Sequence, residues 1–283
     1  MGISALVCAH MNSPKPTAQV SDTAILLAAF GSRLPDATCA LERMLERARA
    51  EYPGLRVETA LTSGTVRGHK ARQGAEASSP EQVLRRLAAE GVRKLAVQSL
   101  HVVPGEEYKG LERLAQRMSG EGAGFERIEV GRPLLGNRED IRRVAGVLLT
   151  VLPPERKPGE AVLLMGHGTR GRANGVYAEL AGELRALDPL VLIGALEAEP
   201  GLSAKVEELR ALGVGRVHLM PLLFARGVHA TRDMAGGGEN SWKSGLGRAG
   251  FDCTAWVKGA GEHEALAGIW LEHLREAVGR LSE

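Results

Sequence analysis

AILLAAFGSR, residues 24–33, recurs as AVLLMGHGTR at residues 161–170, almost position by position. Each copy is a continuous apolar run closed by a glycine turn, the pattern of a parallel strand buried on both faces. A second echo runs beside it, GVRKLAVQSLHVVPGEE at residues 91–107 against GVGRVHLMPLLFARGVH at residues 213–229. Two half-chains are therefore duplicated. Aligned without gaps, Phe30 faces His167 and Glu107 faces His229.

Outward from these stretches, short Val/Ile/Leu runs alternate with amphipathic segments, as in strands joined by crossover helices. From Asp36, Leu41, Met44, Leu45 and Ala48 recur at helical spacing until Pro53-Gly54. Ser79-Pro80 opens a helix with Gln82 completing a capping box, and it stops at Gly91 before the strand LAVQSLHVV. Asn137 caps a further helix, after which PPERKPGE breaks the pattern. The second half follows with AVLLMGH, a helix over Val176 to Leu187, the strand VLIGALEA, a helix ending at Gly213 and the strand RVHLMPLLF. The expected fold is α/β, with two similar doubly wound parallel-sheet domains, over 23–152 and 161–283, facing each other across a cleft. The helix capped by Asn137 could pack on either half, as could the final helix.

At 283 residues with 44% hydrophobic content, the chain can build two ordinary cores. Its 36 basic and 34 acidic residues nearly cancel, so no global field argues for nucleic acid. Cys8, Cys39 and Cys253 have neither disulfide-framework nor thiolate-metal spacing, which points to a reducing, cytoplasmic setting, with the periplasm as the alternative. Residues 1–22 read as a disordered leader, a degenerate export signal being the competing reading. No stretch approaches the ~20 apolar residues of a membrane span.

His167 follows a buried strand between two glycines, at the carboxyl edge where open α/β sheets bind ligands. Its imidazole suits metal ligation or proton transfer. His229 follows another strand in the loop ARGVHATRDMAG and can reach the same edge. Glu197 closes the run VLIGAL, where a carboxylate is costly unless paired or bound to metal. His101, Glu106, Glu107 and Lys109 lie just beyond a first-half strand. His218, inside a strand, reads as a packed core histidine; His69, His263 and His273 read as surface residues without a role. Arg33, Arg170, Arg172, Arg226 and Arg232 follow strands and form an expected basic rim for a carboxylate- or phosphate-bearing ligand. The turns lack GxGxxG or GxxxxGK[ST] spacing, which disfavours a nucleotide enzyme.

LLAAFGSR, SLHVVPGEEY, GHGTR, GALEAEP and GVHATRDMAGGGENSW, in that order over residues 22–280, resemble the anaerobic sirohydrochlorin cobaltochelatases. The resemblance implies the class II chelatase fold and nucleotide-independent insertion of Co²⁺, with Fe²⁺ as a second ion, into sirohydrochlorin with loss of two protons. It implies His167, Glu197 and His229 as metal ligands and His167 with Glu107 as proton-handling residues. Arg33, Arg170, Arg226, Arg232 and Glu106 are then substrate contacts. Imidazole and carboxylate suit Co²⁺ or Fe²⁺ and can release the ion. Some members carry a haem-binding histidine after PGEEY where this chain has Lys109, so no cofactor beyond the substrate metal, and no haem, is expected. Partners are sirohydrochlorin and the metal ion, without nucleic acid or membrane, and homo-oligomerisation is left open. The alternatives are a non-catalytic metal or tetrapyrrole carrier using the same pocket, and a phosphoester enzyme using the arginines.

Overall fold

In the computed structural model, residues 21–120, 124–168 and 175–283 are described. The first half runs β1 (Thr23–Ala29), α1 (Cys39–Glu51), β2 (Arg56–Leu61), α2 (Gly64–Arg72), α3 (Pro80–Ala89), β3 (Lys94–Ser99), α4 (Glu106–Met118), β4 (Arg127–Gly131) and α5 (Arg138–Thr150). The second runs β5 (Ala161–Gly166), α6 (Gly175–Leu187), β6 (Val191–Ala195), α7 (Leu202–Ala211), β7 (Arg216–Pro221), α8 (Trp242–Arg248), β8 (Asp252–Ala255) and α9 (Glu264–Arg280). Each half builds a four-stranded parallel sheet, in the orders β2-β1-β3-β4 and β6-β5-β7-β8. The same order in both sheets bears out the duplicated α/β reading.

The first strand of each sheet in chain order, β1 and β5, is an inner strand buried on two faces, which explains its unbroken apolar run. Ile25, Leu27 and Ala29 of β1 and Val162 and Leu164 of β5 face one shared core, which also holds side chains of α1, α5, α6 and α9. Ala24, Leu26 and Ala28 face the outer helices α3 and α4, whereas Leu163 and Met165 face α7 and α8. The shared layer locks the two sheets together.

The Ser79–Gln82 capping box and the Asn137 cap form as the sequence predicts. The runs LAVQSLHVV and RVHLMPLLF end as strands earlier than expected, at Ser99 and Pro221, where their pairing with Ala28 of β1 and Met165 of β5 ends. The last helices of the two halves are exchanged. Helix α5 leaves its own sheet to pack on α6, and α9 crosses back onto β3 and β4. Trp270 Nε1 donates to the carbonyl of His101 at 3.1 Å, and Arg280 binds Glu129 of β4.

This exchange overturns the surface reading of two histidines. His273 is 2% exposed and bridges Asp140 and the carbonyl of Arg132, while His263, at the start of α9, is 4% exposed. His218 is the expected core histidine, held between Glu160 and Thr254. Among the described residues, no helix is long and apolar enough to cross a membrane. The leader reading falls almost wholly outside the described residues, as do Cys8, Arg170 and Arg172.

Candidate metal centre

The carboxyl ends of β5, β6 and β7 place His167, Glu197 and His229 around one point. One ligand atom from each lies within 4.8 Å of the other two. Tetrahedral ligands about 2.1 Å from an ion sit roughly 3.4 Å apart, so small side-chain rotations bring the three onto one metal. Their local backbone is tied together. Leu196 N–H donates to Gly166 O and Glu197 N–H to His167 O, both at 2.9 Å, continuing the β5–β6 ladder past the strand ends. Glu197 therefore sits two residues beyond its strand, with its side chain 60% exposed.

The glycines flanking His167 have distinct jobs. Gly168 has φ +87°, a left-handed conformation, and a Cβ there would stand 3.0 Å from the backbone nitrogen of Ala198. A Cβ on Gly166 would strike the ring of Tyr177 at 2.6 Å. Tyr177, 3% exposed, accepts hydrogen bonds from the backbone N–H groups of His167 and Gly168, and burial pushes its phenol up to about 12.

Both imidazoles have one nitrogen engaged. His229 Nδ1 is 2.7 Å from Asp233 Oδ2, and His167 Nδ1 is 3.2 Å from Gly168 O and 3.8 Å from Glu197 Oε2. When Nδ1–H is the donor in each case, Nε2 keeps its lone pair for a ligand. The rings stand edge to face with centroids 4.7 Å apart. His229 opens a π-helical turn, His229–Met234, and Asp233 at i+4 returns to nearly its face. Asp233 received no role from the sequence, although its HxxxD spacing on one helical turn was the available signal.

The triad opens into a cleft of about 910 Å³, within the usual range for small-molecule sites. Its first-half wall includes Phe30, Arg33, Ser63, Lys70, His101, Glu106 and Glu107. His101 is held by Ser99 Oγ at 2.8 Å and Thr62 Oγ1 at 3.1 Å, and burial lowers its pKa to about 4. Glu106 turns to Lys109 and Arg113, at 3.6 and 3.3 Å, whereas Glu107 has no ion-pair partner among the described residues.

Arg33, Arg226 and Arg232 are the members of the expected basic rim that fall among the described residues, and of these three only Arg33 lines the cleft. Arg226 faces Glu262, Nε to Oε2 3.7 Å, in the short turn that precedes the last helix. Arg232 is exposed: three residues after His229 in a π-helical turn, it points away from the ligand face. Lys70, which carried no expectation, contributes a cation instead.

The chain matches the family described as Cobalt chelatase (CbiK) over residues 23–279. It is 41% identical over 275 residues to the sirohydrochlorin cobaltochelatase CbiKC of Nitratidesulfovibrio vulgaris, covering 96% of this chain and 97% of that protein. It is 35% identical over 266 residues to the sirohydrochlorin cobaltochelatase of Salmonella typhimurium, covering 92% and 98%. Its fold is similar to that of SirB from Bacillus subtilis, solved with Fe³⁺, at a TM-score of 0.58 and 17% identity over 92% of this chain and 98% of that one.

Proposed function

The chain belongs to the cobalt chelatase family, and from that premise we propose that it inserts Co²⁺ into sirohydrochlorin through His167, Glu197 and His229. The observation that carries the reading is the convergence of these three side chains on one point in the lining of the cleft. Two imidazoles and a carboxylate hold a divalent ion with sites left open, and all three are partly exposed. The ion therefore exchanges readily, as a substrate metal must.

In the reaction the macrocycle lies over the triad, and Co²⁺ passes from protein ligands to the four pyrrole nitrogens. Two N–H bonds break, two protons leave, and no electron moves. Asp233 holds the His229 ring so that Nε2 faces the ion. His167 accepts a proton once it releases the metal. Glu107, without an ion-pair partner among the described residues, is the second acceptor, and Glu106 is the weaker candidate because two cations already engage it. Fe²⁺ fits the same ligand set. The few, scattered cysteines support a cytoplasmic setting.

Cobalt insertion is followed by the change in the visible spectrum of sirohydrochlorin. The folded protein should accelerate it over a protein-free control through many turnovers; no acceleration would overturn the assignment, and a halt after one equivalent would make the protein a carrier.

A further inference from the structure

The two halves use the same three backbone positions differently. Ser63 N–H donates to Phe30 O, just as Glu197 N–H donates to His167 O, and the strand registers align Leu61 with Ala195. Phe30, Ser63 and Glu107 thus stand in the first half where His167, Glu197 and His229 stand in the second, and all six line the cleft. The first half has kept the frame without the metal ligands.

What it carries instead is an exposed aromatic face and two cations, Arg33 and Lys70. Phe30 is 39% exposed, although most large apolar side chains in this protein are buried. Its ring centroid lies 6.3 Å from that of His167, with the planes tilted by 48°. An apolar ring left open beside a polar metal site is covered when a flat apolar ligand lies against it. Arg33 and Lys70 line the same wall, and neither has an ion-pair partner among the described residues, whereas Arg86 is bound to Glu58. Cations left unpaired in a cleft are positioned for ligand carboxylates.

We propose that the first half is the macrocycle-holding wall of the cleft: the Phe30 ring is the face on which the tetrapyrrole lies, and Arg33 and Lys70 take acidic groups at its rim. This rests on the reading that the cleft binds a tetrapyrrole. It divides the work by half, with the ring on one wall and the ion on the other. Phe30 is a positioning residue that sets the pyrrole nitrogens above the triad.

The test is a metal-free titration of the whole chain with sirohydrochlorin, followed by tryptophan quenching, beside a separate Co²⁺ titration without tetrapyrrole. Phe30→Ala should weaken sirohydrochlorin binding and raise its KM by about tenfold, the loss of a ring–ring contact together with its buried area. Its Co²⁺ affinity should stay at the wild-type value. Phe30→Trp should restore ring binding, and Phe30→Leu, which keeps bulk without a π face, should not. Lys70→Met should weaken binding about threefold, as expected for loss of one charged contact, and this effect should vanish with a tetrapyrrole whose acids are esterified. Wild-type ring affinity in both Phe30→Ala and Phe30→Leu, or loss of Co²⁺ affinity in either, would overturn the proposal. Failure of the wild-type protein itself to bind sirohydrochlorin would instead overturn the functional reading beneath it.

Discussion

Compare the turn that follows the first strand of each sheet. Gly31 and Gly168 both take left-handed backbone, at φ +91° and +87°, and each follows the residue that projects toward the cleft. In one half that residue is Phe30, in the other His167. At the next position the contrast repeats. Ser63 spends its hydroxyl capping α2, accepting from Val66 N–H, while Glu197 leaves its carboxylate beside His167. Duplication preserved the scaffold and freed the side chains on it to specialise, because backbone geometry is held by the sheet while the tips face a shared space.

The sharpest way to break that contrast is His167→Ala. It should lower kcat/KM for cobalt insertion by roughly 10³-fold, combining loss of a ligand and of a proton acceptor, in the visible-spectrum assay. A fall of less than threefold would mean the metal-handling wall has been misplaced. Next is Asp233→Asn, which removes the carboxylate that orients His229. Co²⁺ affinity measured by equilibrium dialysis should drop about tenfold to a hundredfold while sirohydrochlorin affinity holds; equal loss of both would contradict the division between walls.

Glu197→Gln and Ser63→Ala test equivalent positions directly. The first should weaken Co²⁺ binding about tenfold and leave the melting temperature nearly unchanged, since its carboxylate is mostly exposed. The second should cost about 1 kcal/mol of stability, read by urea unfolding, and leave Co²⁺ binding alone. Exchange of these outcomes would show that the halves are not specialised as described.

The smallest effect concerns acid stability. Burial lowers both His101, in the first half, and His263, in the second, to about 4. The unfolded chain protonates them near 6.5, so between those values it holds more protons than the folded chain. Stability should therefore decline as pH falls from about 6.5 to about 4, and rise with pH through that window. His263→Gln should reduce the decline of the melting temperature by a few degrees. An unaltered decline would place the acid sensitivity elsewhere, the first alternative being the ion-paired carboxylates such as Glu160 and Glu208.

Legibility followed burial. β1 and β5 were readable because strands covered on both faces must be apolar throughout. Three of the four edge strands, β2, β4 and β8, went unread, since RVETAL, RIEVG and DCTA mix charged and apolar residues and are only partly buried, whereas the fourth, β6, is apolar and buried throughout. His167, Glu197 and His229 could be grouped from strand ends alone, since a parallel sheet gathers such ends at one edge. Arg226 and Arg232 stand off the cleft lining for local reasons. The π-helical turn after Val228 rotates Arg232 off the face of His229, and Arg226 meets Glu262, a residue 36 positions away. His263 and His273 were misread because the sequence left open which half the final helix covers, and its return to the first sheet decides what is buried along it.

The exchanged helices also set a schedule for the chain as it is made. The side of β3 and β4 that receives α9 is synthesised well before its cover, since Trp270 and Leu274 lie more than a hundred residues downstream. The first half therefore leaves the ribosome with an open apolar surface and closes it only when α9 has emerged. A late segment thus completes the earliest sheet, so a message cut short before α9 yields a chain whose first sheet lacks its cover.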